Sequence, residues 1–336
     1  MSLPPFEVLR PWNLDAAVAT LGRFGLDVKP VAGGTDLIPS MNQGLFAPKI
    51  LLDLKGLRDL RFIRFDPERG LTVGAVTTIS ALTDSPVIAR HFPVLHAAAR
   101  NVASPLLRNM GTVGGNLCLD TRCLYYNQSA FWRQSLGGCI KNEGTICHVA
   151  PASDKCWAAF SGDVAPALLV LGASVRLASP RGWREVALAD FYANDGLVHI
   201  NKTHDEIVTS VHVPAASAGW SGAYRKLRIR HSIDYPLAGV AVAMQRNRDG
   251  TCVQARVALT AVNPAPKLVK GAKALAGKRY DHALVEEVAA DAIRTGKPLR
   301  TSASTMEYRR HMVRVFVRRA LQEVWLDSTW TRPGDN

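Results

Sequence analysis

The chain has 336 residues, room for two or three domains at the usual ~100–200 residues each. Apolar residues make up 47% and charged residues 21%, which excludes disorder and collagen-like character. No apolar run reaches the ~18 residues of a membrane span, and the opening MSLPPFEVLRPWN lacks the layout of a secretion signal, so a cytoplasmic protein without membrane contact is expected. The net charge of +13 is uneven: residues 1–220 hold 20 basic and 18 acidic side chains, residues 221–336 hold 21 and 10. A near-neutral body with a basic C-terminal third fits docking to an acidic protein or a phosphate-bearing ligand at least as well as nucleic-acid binding.

In chain order, residues 1–55 read as a small α/β unit. Asn13 caps a helix with Leu14, Ala17, Val18 and Leu21 on one face. A strand over Val28–Val31 breaks at Gly33-Gly34-Thr35-Asp36; a second helix and a buried strand over Ile50–Leu54 follow. Residues 56–219 form a second unit. It has strands around Phe62 and Leu71–Ala75, helices over Ile79–Leu82 and Val87–Ala99, and a loop over 101–116 rich in Asn, Ser, Pro and Gly. Residues 117–160 have little periodicity and read as an insertion organised by what it binds. A helix over Val164–Leu171 and strands over Ala173–Ala178, Val186–Leu188 and Ile207–Val213 complete the unit. The third, 220–336, shows three alternating runs (Ala223–Ile229, Gly239–Gln245 and Val253–Ala261), then helices at about 267–276, 281–295 and 304–325. In the last helix, an apolar stripe is set against a basic face that includes Arg309, Arg310, Arg318 and Arg319, a candidate docking surface. The fold class is α+β.

Two glycine-rich loops stand out, Val31-Ala32-Gly33-Gly34-Thr35-Asp36-Leu37 and Gly111-Thr112-Val113-Gly114-Gly115-Asn116. Paired glycines let backbone N–H groups approach a diphosphate, although each loop is also an ordinary tight turn. Neither has the spacing of a Rossmann or P-loop site. Cys123, Cys139, Cys147 and Cys156 follow one another at intervals of 15, 7 and 8 residues, with Cys118 just ahead of them. Five clustered cysteines fit disulfides poorly in a reducing compartment. Among Cys123, Cys139, Cys147 and Cys156 there is no close C-x2-4-C pair, so these four fit zinc less well than an iron–sulfur cluster, and unligated thiols are the third reading. His148 reads as a hydrogen-bonding loop residue, Cys252 as a small core residue, and Asp163 as a helix cap. The run Arg225, Lys226, Arg228 and Arg230 reads in part as a solvated strand face. No hydrolase triad, zincin motif or carboxylate dyad is present, so no catalytic residue is assigned.

Taken in order, Ala32-Gly33-Gly34-Thr35-Asp36-Leu37, Arg108–Asn116 and Gly162–Leu168 resemble the FAD-binding subunits of the molybdenum hydroxylases, over nearly the whole chain. The resemblance implies a two-part FAD-binding domain followed by a C-terminal flavoprotein domain. It implies that Ala32 to Leu37 and Thr112 to Asn116 wrap the FAD diphosphate and ribityl chain and that Asp163 bonds a cofactor hydroxyl. Asp234 and Tyr235 would lie near the isoalloxazine, where a lysine found in some relatives is absent. Asn116 and Asp163 are 47 positions apart, farther than in most members, and the intervening Arg122-Cys123-Leu124-Tyr125-Tyr126-Asn127-Gln128 resembles the insertion of the 4-hydroxybenzoyl-CoA reductase beta subunits. That resemblance implies a 4Fe-4S cluster on Cys123, Cys139, Cys147 and Cys156, with Cys118 near the flavin. It also implies a dimer of heterotrimers: a large molybdenum-cofactor subunit that reduces the aromatic ring, a small subunit with two 2Fe-2S clusters, and ferredoxin as electron donor. An FAD subunit of another molybdenum hydroxylase of the xanthine or CO dehydrogenase kind, a zinc-stabilised nucleic-acid-binding protein and a free-standing flavin oxidase are the competing readings.

Overall fold

The computed structural model describes residues 3–326; the last ten residues of the expected C-terminal unit, 327–336, lie outside them. Three sheets follow one another along the chain. The first is parallel, in the order β1-β3-β2: β1 (Glu7–Leu9) and β2 (Val28–Val31) flank β3 (Ile50–Asp53). α1 (Leu14–Phe24) buries Ala17, Val18 and Leu21 against it, and the Asn13 side chain accepts from the Ala16 N–H at 2.8 Å, the expected cap. α2 (Leu37–Asn42) follows the first glycine loop. The edge strand β1 has no counterpart in the sequence reading: it is three residues long, mostly exposed, and exists because its partner is far along the chain.

The second sheet is antiparallel, in the order β4-β5-β8-β6-β7. Its strands are β4 (Ile63–Asp66), β5 (Gly70–Gly74), β6 (Ser174–Ser179), β7 (Gly182–Ala187) and β8 (Ile207–Pro214). Between β5 and β6 come α3 (Ile79–Thr83), α4 (Pro86–His91) and α5 (Pro93–Arg100). The single helix expected over 87–99 is therefore two, because Pro93 disfavours helical geometry at Phe92, which sits at φ −137° and ψ 59°. The expected loop over 101–116 is also corrected. It holds α6 (Pro105–Met110), opened by a Ser104 cap and Pro105, and α7 (Val113–Leu117), opened by a Thr112 cap.

The insertion is irregular apart from α8 (Ala130–Ser135). It leaves and rejoins the fold at one point, where the backbones of Arg122 and Ala159 pair at 2.9 and 2.8 Å. α9 (Val164–Val170) is apolar on every side and buried on every side, packed between the second and third sheets, so its N-terminus is held rigidly. A four-residue helix, α10 (Leu188–Phe191), links β7 to β8.

The third sheet, antiparallel, has four strands rather than three, in the order β12-β11-β10-β9: β9 (Ser221–Leu227), β10 (Ala238–Arg246), β11 (Cys252–Thr260) and β12 (Lys267–Leu268). The helix expected at 267–276 is thus a short edge strand followed by a 3-10 turn over Lys270–Leu275. α11 (His282–Thr295) and α12 (Met306–Leu326) cover one face, and their apolar stripes meet Val240, Val242 and Val257. Cys252 is fully buried there, the core residue expected. No described helix is long and apolar enough to cross a membrane.

Candidate functional site

One cleft of about 1150 Å³ runs between the three sheets. That exceeds the ~300–1,000 Å³ of ordinary small-molecule sites and leaves room for a large, extended ligand. Both glycine loops form its floor, and they touch. A Cβ on Gly33 would fall 2.2 Å from the Met110 carbonyl oxygen and 2.8 Å from Gly111 Cα, so glycine is what allows the loops to meet. Gly34 has φ +71°, the left-handed region open to glycine. The second loop is fixed from behind: the Gly111 carbonyl accepts from Ile79 N–H at 2.9 Å, and Val113 N–H donates to the Thr77 carbonyl at 2.9 Å. Thr112 Oγ1 accepts from Gly115 N–H at 3.1 Å.

Ala32, Gly33, Gly34, Thr35, Asp36 and Leu37 all line the cleft, as do Thr112, Gly115 and Asn116. Gly114 does not. It is buried behind the wall, where its N–H donates to the Ala75 carbonyl at 2.8 Å and a Cβ would meet Ala75 Cβ at 2.9 Å. Its part is to let α7 pack on the end of β5.

Asp163 lines the cleft but does not cap α9 with its own side chain. Asn116 Oδ1 does that work, accepting from Val164 N–H at 3.1 Å. The buried Asp163 carboxylate instead accepts from Tyr224 Oη at 2.6 Å and from Lys226 Nζ at 2.9 Å. Burial pushes this carboxyl up, against the pull of the Lys226 ammonium. The Lys226 side chain is 1% exposed, which corrects its reading as part of a solvated face. The signal was present, since Tyr224 and Lys226 stand two apart and share one side of β9.

Asp234 and Tyr235 reach the cleft from the turn between β9 and β10. Asp234 is held by Arg230, whose hydrogen bonds keep its carboxyl below the ordinary range. Tyr235 Oη donates to Asp36 Oδ1 at 3.0 Å, joining residues 199 positions apart across the opening. Burial pushes the Asp36 carboxyl up, with Arg122 opposing. Three non-glycine residues in left-handed geometry also line the cleft: Ala103 (φ 40°), Ile233 (φ 67°) and Ala261 (φ 66°). Ile233 N–H donates to the Ala103 carbonyl at 3.0 Å, so two of these strained residues hold each other.

The insertion forms the remaining wall through Arg122, Cys123, Leu124, Tyr126, Asn127 and Gln128. Immediately behind that wall are the cysteines, all with free thiols. Burial pushes the Cys123 thiol up, with Cys139 and Cys147 adding to it; burial pushes Cys156 up to about 12, with Cys123 and Cys147 adding. The four thiols are thus electrostatic neighbours. Two of their sulfurs accept backbone hydrogen bonds at 3.4 Å, Cys123 Sγ from Tyr126 N–H and Cys156 Sγ from Ala158 N–H. Among the described residues no three His, Cys, Asp or Glu side chains converge as the ligands of one metal ion do. His148 bonds the Gly138 carbonyl at 2.7 Å and stacks on Tyr125. Cys118 lies apart from the four, on the cleft near Tyr192 and Lys202.

Sequence reasoning missed the charged cluster on this wall. Lys141 Nζ donates to Asp120 at 2.6 Å and to the Gly196 carbonyl at 2.8 Å, and His199 stands beside them. No local pattern marks these residues, since the fold brings them together from positions 120, 141 and 199. Arg309 was read as surface charge and is buried: it donates to the carbonyls of Leu237 at 2.8 Å and Ala261 at 2.6 Å, and to that of Leu299. Arg318 is paired with Glu286, while Arg310 and Arg319 are exposed.

A cleft floored by two glycine loops, with a parallel-sheet unit, an antiparallel-sheet unit and a helix-backed third sheet around it, is the arrangement of a class of flavoproteins that this chain matches along its length. The chain belongs to the molybdenum hydroxylase flavoprotein family. Residues 4–216 match the FAD binding domain in molybdopterin dehydrogenase, and residues 222–324 match the CO dehydrogenase flavoprotein C-terminal domain. It is 31% identical to the carbon monoxide dehydrogenase medium chain of Hydrogenophaga pseudoflava over 326 residues, 96% of this chain and 98% of that one. It is 30% identical to the nicotinate dehydrogenase FAD-subunit of Eubacterium barkeri over 253 residues, 74% and 72% of the two chains. A solved structure of the Hydrogenophaga pseudoflava carbon monoxide dehydrogenase superposes with a TM-score of 0.80 at 29% identity, covering 97% of this chain and 99% of that one. The α+β fold and FAD binding are therefore those of an oxidoreductase subunit in this family.

Proposed function

We propose that the chain is the FAD and 4Fe-4S electron-transfer subunit of a molybdenum enzyme of the 4-hydroxybenzoyl-CoA reductase type. The observation that carries this reading is the insertion, which gathers four free thiols directly behind a wall of the flavin cleft. The N–H donors on Cys123 and Cys156 are of the kind that stabilise cluster sulfurs and set their potential. Tyr126 is buried beside Cys123, and Tyr125 and Trp132 pack together nearer the surface. Metal would invert the raised thiol pKa values, since coordinated thiols are deprotonated.

FAD exchanges one or two electrons and an iron–sulfur cluster one, which suits a relay. Ala32 to Leu37 and Thr112, Gly115 and Asn116 would hold the FAD diphosphate and ribityl chain, and Asp234 and Tyr235 would stand by the flavin ring. Asp163 lines the cleft with one protein donor on each oxygen, which leaves its carboxylate able to accept from a cofactor hydroxyl. The relay runs from ferredoxin to a small subunit with two 2Fe-2S clusters and a large molybdenum subunit, where an aromatic acyl-CoA is reduced. The words "medium chain" and "FAD-subunit" in the relatives' names support assembly with other chains. The same reading divides the chain at 1–55, 56–219 and 220–336, one sheet to each part.

The second reading is an FAD subunit of another molybdenum hydroxylase, favoured by the 31% identity to a carbon monoxide dehydrogenase chain. Anaerobic isolation with metal and flavin analysis separates them. The first requires FAD with roughly four irons per chain and a reduced-cluster EPR signal that Cys139→Ser and Cys147→Ser abolish. FAD without iron leaves the second reading standing alone.

A further inference from the structure

Most cations of the insertion wall have no donor to spare. Lys141 is bonded to Asp120, to the Thr121 carbonyl and hydroxyl, and to the Gly196 carbonyl. Arg133 is buried and donates to Asn142 and to the carbonyls of Tyr126, Gln128 and Gly44. On the facing wall, in β2, the Lys29 ammonium lies over the Phe46 ring, 3.8 Å from its centroid.

Arg122 differs. Its Nη1 donates to Asn127 Oδ1 at 3.3 Å, while its Nε is buried, makes no hydrogen bond and stands 3.6 Å from Asp120 Oδ2, which is equally unbonded. Nε thus faces a carboxylate, while Nη1 and Nη2 each have two N–H groups and one protein hydrogen bond, so it is these nitrogens that can serve an incoming acceptor. Nη2 bonds Ser40 Oγ and stands 3.8 Å from Asp36 Oδ1, at the start of α2 just after the first glycine loop. The root of the side chain is fixed by the Arg122–Ala159 backbone pair, and its guanidinium lies over the Tyr126 ring at 5.7 Å. The result is a planar, pre-positioned fork facing the loop whose glycines open the backbone to an anion. Planar forks of this kind match phosphate oxygens two at a time.

We propose that Arg122 is an FAD-binding residue supplied by the insertion, taking the cofactor's diphosphate from the side opposite Gly33 and Gly34. The insertion is then half of the flavin site as well as a holder of cysteines. This inference rests on FAD binding and not on the cluster, so it stays readable in protein that proves iron-free.

The test uses the full chain stripped of flavin and titrated with FAD by fluorescence quenching, with ADP as a competitor. Arg122→Met should weaken FAD and ADP by the same factor, roughly 10- to 100-fold, and Arg122→Lys should fall between it and the parent. FAD affinity within twofold of the parent in Arg122→Met would overturn the proposal. So would a loss of FAD affinity without a matching loss for ADP. In the unmutated protein, FAD should protect Arg122 from phenylglyoxal as read by peptide mass spectrometry. Labelling indifferent to FAD refutes the assignment without any variant having to fold.

Discussion

Gly33 sits where the two loops of the cleft floor meet, and the side chain it lacks sets their distance. Alanine there brings Cβ to 2.2 Å from the Met110 carbonyl oxygen, and neither backbone has room to retreat without opening the floor. Gly33→Ala should cost about 1–3 kcal/mol of stability and weaken FAD binding by more than roughly 10-fold, measured by urea unfolding and FAD titration. Equal affinity in the variant would mean that the floor does not touch the cofactor. His199 carries a pH dependence. Burial, with the ammonium of Lys141 adding and Asp120 opposing, lowers it from 6.5 to about 4. The folded chain therefore keeps this ring neutral where the unfolded chain binds a proton. Its contribution is whole above pH 6.5 and is lost as pH falls from 6.5 towards 4, by up to ~3 kcal/mol. Replacing it by glutamine should flatten the fall in urea midpoint between pH 7 and pH 4.5, and parallel curves for the two proteins would refute it. At this scale, the glycine loops could be read from the sequence because two such loops occur in one chain, although either alone is equally an ordinary tight turn. His199, Asp120 and Lys141 could not, because their meaning comes from contact alone.

Among the elements, α12 shows what periodicity can and cannot resolve. Arg309 and Arg310 are adjacent, identical in kind and on the basic side of the stripe, yet Arg309 is 3% exposed and Arg310 lies on the surface. Arg309 ties α12 to the turn before β10 (Leu237), to the segment after β11 (Ala261) and to the chain ahead of α12 (Leu299). Burial brings its guanidinium down to about 10. Arg309→Met should cost about 3 kcal/mol or more, because three carbonyls lose their donor, whereas Arg310→Met should stay within about 0.5 kcal/mol. Urea unfolding of the two variants side by side reads the difference. The capped and core helices α1, α9 and α11 follow from their stripes and first-turn residues. The short ones, α6 and α7, hide in glycine- and proline-rich sequence that resembles a loop. Their start signals, Ser104-Pro105 and Thr112, were there to be read.

Across the whole molecule the basic excess of residues 221–336 is partly consumed inside the fold. Lys226 pairs with Asp163, Arg225 with Glu323, and Arg314 and Arg318 both with Glu286. The surface left for an acidic partner is smaller than the count of charges implied. The glycine pairs, the cysteine spacing and the alternating runs were determined by the sequence itself, because each acts over a few residues and expresses itself wherever the chain goes. They sufficed for the α+β class and for FAD as the cofactor of the family. What tertiary structure alone decided was which groups share a wall: Tyr235 with Asp36, Lys226 with Asp163, Arg122 with Ser40. Such pairs join residues 63 to 199 positions apart, and the energy that selects them is the cost of leaving a buried donor or charge unmet, which no local pattern records.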